Sequence, residues 1–180
     1  PEIPDIKLDE DQFRTIAAMV DRREYFQLEF DIRNHFKMGP VKFYNIIGMI
    51  RGSEYPDEYV MAGGHLDAFD VATGGVDCGV GATVSLEAAR LLAVAGAKPK
   101  RSILFCLWAG EEYGLWGSKF FVEHNSEKMP NISNYINRDG GPTVPLGITV
   151  TPATYNDFVK VCEPVNLINK EFPFTVKKRV

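Results

Sequence analysis

This sequence predicts an α/β fold, a three-layer sandwich in which a mixed, mostly parallel sheet carries helices on both faces. Three observations lead there. Strand-like runs at residues 59–62, 103–108 and 133–137 each end close to an acid or a histidine and a glycine. Between the first two lies the helical stretch 79–95, whose Ala82, Val84, Leu86, Ala89, Leu91 and Leu92 are too apolar for a surface helix and should pack on a sheet. Ligands of open α/β sheets bind outside the carboxyl ends of the strands, where this chain collects its reactive side chains.

Composition bounds the rest. With 180 residues, 45% hydrophobic and 24% charged, the chain can bury one core, and residues 1–180 are read as a single domain. A net charge of −4 with no basic cluster speaks against nucleic acid. Apolar runs stop short of membrane-spanning length, and no signal-peptide pattern opens the chain. Cys78, Cys106 and Cys162 are odd in number and lack paired metal spacing; Cys106 reads as a small core residue.

In chain order, residues 1–7 form a polar lead-in. Asp9 caps a helix with Phe13, Ile16, Ala17 and Val20 on one face. Residues 25–36 alternate apolar and polar, which predicts a half-exposed antiparallel strand. Gly39-Pro40 turns it, residues 41–51 return as a second strand, and 52–57 make a turn before the first site strand. After the long helix, 97–101 is a solvated basic loop. Residues 112–124 predict a helix with Leu115, Phe120 and Phe121 inward, followed by a loop at 127–131. The sequon Asn131-Ile132-Ser133 runs into a strand and is discounted. Residues 154–168 predict a last helix interrupted by Pro164, and 172–176 an edge strand.

The chemistry sits at the strand ends. The first run breaks at Gly63-Gly64 and delivers His65 and Asp67; a Gly-rich loop then leads to Asp77, just ahead of the long helix. A neutral imidazole with carboxylates suits a borderline divalent metal, and Asp67 could hold the imidazole's other nitrogen. A lone histidine at a strand end is more often a structural residue than a ligand. The second run ends in Glu111-Glu112. Adjacent carboxylates at a strand mouth are costly without a cation; one could ligate a metal while the other takes a proton from water. The third run ends at Arg138-Asp139-Gly140-Gly141.

In that order, GGHLDAFDVATGGVDCGVG, WAGEEYGLWGS and INRDGG resemble the zinc aminopeptidase and carboxypeptidase family M28, nearest to its plasma glutamate carboxypeptidase-like branch. The resemblance runs from about Asn45 to Gly141. It implies that His65, Asp77, Glu112 and Asp139 are metal ligands, with Asp77 shared between two zinc ions. It makes Glu111 the general base, sets Asp67 behind His65, and implies a cis peptide bond at Asp77-Cys78. Cys78 falls at a non-ligand position. The family's last histidine ligand has no match here, since His35 and His124 lack its context. The chain is therefore expected to be a segment of a longer protein, with an upstream protease-associated insertion and downstream strands outside it. At most one zinc is expected to be tightly held by the segment, which alone would have little or no activity. The implied function is hydrolysis of a terminal bond in a peptide or dipeptide, in a secreted, periplasmic or extracellular setting, with an oligomer left open. Two other readings fit the same motifs: a single-zinc glutaminyl cyclase, and a non-catalytic ectodomain module of the same fold.

Overall fold

The run marked by residues 59–62 is the middle of the longest strand, β2 (Tyr55–His65). It lies between two parallel neighbours, β3 (Arg101–Trp108) and β4 (Ile132–Asn137), while β1 (Ile46–Ile50) runs antiparallel along the outer side of β3. The sheet order is thus β1-β3-β2-β4, mixed and mostly parallel. The computed structural model describes residues 6–33, 35, 37, 39–168 and 170–179. They belong to two compact units, Pro1–Val41 and Lys42–Val180.

Register decides which side chains share a face. Met61 stands opposite Leu104 and Tyr135, and His65 opposite Trp108. One face of the sheet therefore carries Met61, Leu104, Cys106 and Trp108, and it is closed by Phe121 of α3 (Trp116–His124) and by Ile132. The Trp108 and Phe121 rings lie 5.2 Å apart. Cys106 is fully buried, and that burial pushes its thiol up to about 12, so it packs as a small apolar group. Trp108 Nε1 donates to the Tyr135 hydroxyl at 2.7 Å, which donates in turn to Asn137 Oδ1 at 2.7 Å. This chain fastens the end of β4 to β3 across β2.

The opposite face belongs to α2 (Gly79–Val94), which buries Gly81, Ala82 and Ser85. Close approach of backbones is what brings it there. A Cβ on Gly64 would stand 2.7 Å from the Arg138 carbonyl oxygen and 3.1 Å from Gly81 C. A Cβ on Gly81 would collide with the same carbonyl and with Cys78 Sγ. The end of β2, the first turn of α2 and the residue after β4 thus meet where side chains are missing.

Several sequence expectations change. Residues 25–33 form no strand: the alternation is present, but among the described residues nothing pairs with it, and an unpaired ribbon has no ladder to hold it. Asn34 and Phe36, in the same expected strand, and most of the lead-in at 1–7 lie outside the described residues. The return strand shrinks from 41–51 to β1, and its partner is β3 rather than a preceding hairpin arm. The first site strand starts earlier, at Tyr55 within the expected turn, and continues through Gly63-Gly64 to His65. The helix expected at 112–124 starts only at Trp116, because Gly110, Gly114 and Leu115 all take left-handed φ values and the chain must loop first. Of its expected inward residues only Phe121 packs inside; Leu115 and Phe120 are exposed. Val84, Leu86 and Leu91 of α2 are also exposed, so the helix packs by one side only.

Asp9 caps α1 (Glu10–Asp21) as expected, accepting from Gln12 N at 2.8 Å, although none of that helix's residues is buried. Residues 126–131 form a short 3-10 helix where a loop was expected. Pro164 separates α4 (Tyr155–Cys162) from α5 (Val165–Ile168). No strand is expected where β5 (Gly147–Val150) forms; it pairs in parallel with β6 (Thr175–Lys178), two to three residues later than the edge strand expected at 172–176.

Gly81→Ala should accordingly destabilise the protein by at least about 1–3 kcal/mol through overpacking. The check is a fall in urea midpoint at constant m-value; an unmoved midpoint would mean the Arg138 carbonyl can retreat.

Candidate functional site

The three parallel strands end side by side, so whatever follows them converges. β2 ends in His65, which is buried to 3% exposure. Its Nδ1 lies 2.9 Å from the Asp67 main-chain oxygen, an acceptor only, so Nδ1 carries the proton. That leaves Nε2 facing outward, 2.9 Å from Asp77 Oδ1, 3.4 Å from Asp139 Oδ1 and 4.0 Å from Glu111 Oε2. Burial works against a charge on this imidazole, but the Asp67 carbonyl, Asp77, Asp139 and Glu111 outweigh it and raise its pKa.

An Nε2 lone pair pointing at two carboxylates repels them. The arrangement is satisfied by a positive charge between them, either a proton on the ring or a cation. His65, Asp77, Cys78 and Asp139 bring ligand-type atoms within 4.8 Å of one another. One imidazole and hard carboxylates form a donor set that suits zinc. Cys78 is 1% exposed, its Sγ donates to the Arg138 carbonyl at 3.3 Å, and burial is the main reason its thiol is raised. The Asp77-Cys78 peptide bond is cis.

The acids of the second strand arrive by a different route. Glu111 and Glu112 follow Ala109-Gly110 in the loop before α3, and Asp67 holds that loop from across the sheet end. Its Oδ1 accepts from Glu111 N at 3.0 Å and its Oδ2 from Glu112 N at 3.2 Å. Asp67 therefore supports His65 through its carbonyl, while its carboxylate, 3.7 Å from Nδ1, positions the glutamate pair. Burial is the main cause that raises Glu111 above the ordinary carboxylate range, with His65 opposing and Asp139, Glu112 and Asp67 adding to it. Glu112 is half-buried, and its carboxylate is not part of the four-residue donor cluster. His124 is exposed, stacked on Phe120 at 3.8 Å, and His35 is exposed outside any helix or strand.

Sequence reasoning passed over Asn45. Its Oδ1 accepts from Ala109 N at 3.1 Å and its Nδ2 donates to Gly117 O at 2.8 Å, gripping both ends of the glutamate loop. The available signal was an amide side chain directly ahead of an apolar strand. A cavity of about 1010 Å³ between β1 and α3 is lined by Phe43, Ile47, Met49 and Phe121, and by none of the site's acids.

The model of peptidase family M28 matches residues 45–163. The chain belongs to peptidase family M28. Carboxypeptidase Q of Xenopus laevis is 32% identical over 174 residues, 93% of this chain but 36% of that protein. A probable glutamate carboxypeptidase, VP8 of Zea mays, is 45% identical over 94 residues, 49% of this chain and 13% of that protein. Among solved structures, a peptidase M28 precursor from Shewanella amazonensis SB2B superposes with a TM-score of 0.73 at 25% identity, covering 93% of this chain and 37% of the other. The chain thus spans little more than a third of the length of the carboxypeptidase Q relative. Among the described residues no helix is long and apolar enough to cross a membrane.

Asp67→Ala strips the acceptor from two backbone N–H groups at once. It should cost about 2–3 kcal/mol, and hydrogen exchange should speed up at the Glu111 and Glu112 amides before those of β3. Unchanged protection there would remove Asp67 from the positioning role.

Proposed function

We propose that the protein carrying this chain is a zinc-dependent exopeptidase that hydrolyses a terminal peptide bond in a peptide or dipeptide. The observation that carries the reading is the Nε2 of His65, 2.9 Å from Asp77 and 3.4 Å from Asp139 with the Glu111 carboxylate at 4.0 Å. His65, Asp77 and Asp139 would hold a zinc ion, and Glu112, with a histidine contributed from outside this chain, would serve a second ion sharing Asp77. Zinc bound there would supply a Lewis acid for the scissile carbonyl and the attacking water.

The chain's own residues do the remainder. Asp67 keeps the proton of His65 on Nδ1 by lending its carbonyl, so Nε2 stays available as a donor atom. Its carboxylate fixes the backbone of the glutamate loop, which sets where Glu111 can reach. Glu111, with a carboxyl pKa lifted by burial, is suited to take a proton from water and return it to the leaving amine. A base closer to neutrality is a weaker acceptor but a better proton donor in the second half of that cycle.

Glu111→Gln in the whole protein should keep zinc and lose about a hundred- to ten-thousand-fold in turnover, measured as metal content and peptide hydrolysis on one sample. Loss of zinc instead would exchange the roles of Glu111 and Glu112. For the 180-residue chain itself, elemental analysis after dialysis should find at most one zinc. Two would reveal a further ligand.

A further inference from the structure

The two loops that Asp67 ties together carry apolar side chains on their outer surface. Leu66, Phe69 and Val71 come from the loop between β2 and α2, and Tyr113 and Leu115 from the glutamate loop; all five are exposed. Folding alone does not explain their position. Val71 is fully exposed and adopts φ 59°, a left-handed conformation that a β-branched residue rarely takes. The Phe69 and Tyr113 rings lie 5.9 Å apart with an interplanar angle of 32°. Phe69 is two residues beyond Asp67 and Tyr113 one beyond Glu112, so this aromatic pair stands beside the joint where Asp67 grips the glutamate backbone.

Charge points the same way. The loops at 66–78 and 109–115 contain Asp67, Asp70, Asp77, Glu111 and Glu112 and not one lysine or arginine. Among the described residues Lys119 reaches the second loop, donating to the Gly114 carbonyl while lying over Trp116, whereas the Arg138 guanidinium donates to the carbonyls of Gly141 and Thr143 instead. Of these acids, Asp70 is the one that the zinc reading and the Asp67 hydrogen bonds leave without a role; an acidic substrate side chain would meet it, whereas an aromatic one would find ring faces of matching size.

We propose that Phe69 and Tyr113 form the wall that receives the substrate side chain next to the scissile bond, and that this wall selects aromatic and large apolar residues over glutamate. The inference rests on the exopeptidase reading for its substrate class, and it is tested on the whole zinc-loaded protein with symmetric dipeptides, so that neither terminus need be chosen. Phe-Phe should exceed Glu-Glu in kcat/KM by at least about tenfold. Phe69→Ala with Tyr113→Ala should reduce the Phe-Phe to Ala-Ala ratio by about tenfold, and Phe69→Lys alone should move preference toward Glu-Glu. Calorimetric binding of the same dipeptides to the Glu111→Gln protein gives a readout that needs no turnover, and Phe-Phe should again bind more tightly than Glu-Glu. Preference for Glu-Glu, or a Phe-Phe to Ala-Ala ratio indifferent to both alanine changes, overturns the proposal. Graded binding without hydrolysis by the native protein would overturn the peptidase reading and leave the aromatic wall standing. Absence of binding by every dipeptide would overturn both.

Discussion

The whole arrangement depends on backbones touching where side chains would forbid it. Gly64 at the end of β2 and Gly81 in the first turn of α2 both press on the Arg138 carbonyl, one residue before Asp139. That single oxygen therefore sets how near the third strand's acid comes to the first strand's histidine. The order of elements alone would bring the strand ends into one neighbourhood. Close packing at the glycines turns a neighbourhood into oxygen-to-nitrogen distances of 2.9 and 3.4 Å.

A second constraint is electrostatic. Burying His65 among acceptors costs solvation, and the cost is offset only when positive charge resides between the ring and the acids. The fold supplies everything but that charge. The same economy explains Asp67, which gives its carbonyl to the imidazole and both carboxylate oxygens to N–H groups, leaving little of its acceptor capacity idle.

Much of this was legible in the sequence, for identifiable reasons. β3 and the second half of β2 are largely buried, so they read as apolar runs, and the glycines after those runs mark where they must stop, whereas the edge strand β4 is mostly exposed. What escaped was whatever depends on a partner or a single dihedral. Residues 25–33 alternate as a strand does, but alternation cannot say whether a second strand lies alongside. The late start of α3 follows from Leu115 at φ 62°, a choice that leucine gives no hint of. The outward sides of α2 and α3 carry large apolar residues, Val84, Leu86 and Leu91 on the one and Phe120 and Val122 on the other, so composition overstated their burial. For Asp67, sequence could place the residue next to His65 but could not tell which of its oxygens would meet the ring.

The Trp108–Tyr135–Asn137 chain gives the protein an optical signature. The protein's two tryptophans sit in different solvents: Trp108 is 7% exposed, hydrogen-bonded and packed at an angle against the Phe121 and Tyr135 rings, and Trp116, in the first turn of α3, is 56% exposed beneath Lys119. An indole in a dry, aromatic setting emits at shorter wavelength than one in water. The fluorescence of this chain is thus two reports in one spectrum, a blue component from the bridge that links β3 to β4 across β2 and a red one from the rim beside the glutamate loop.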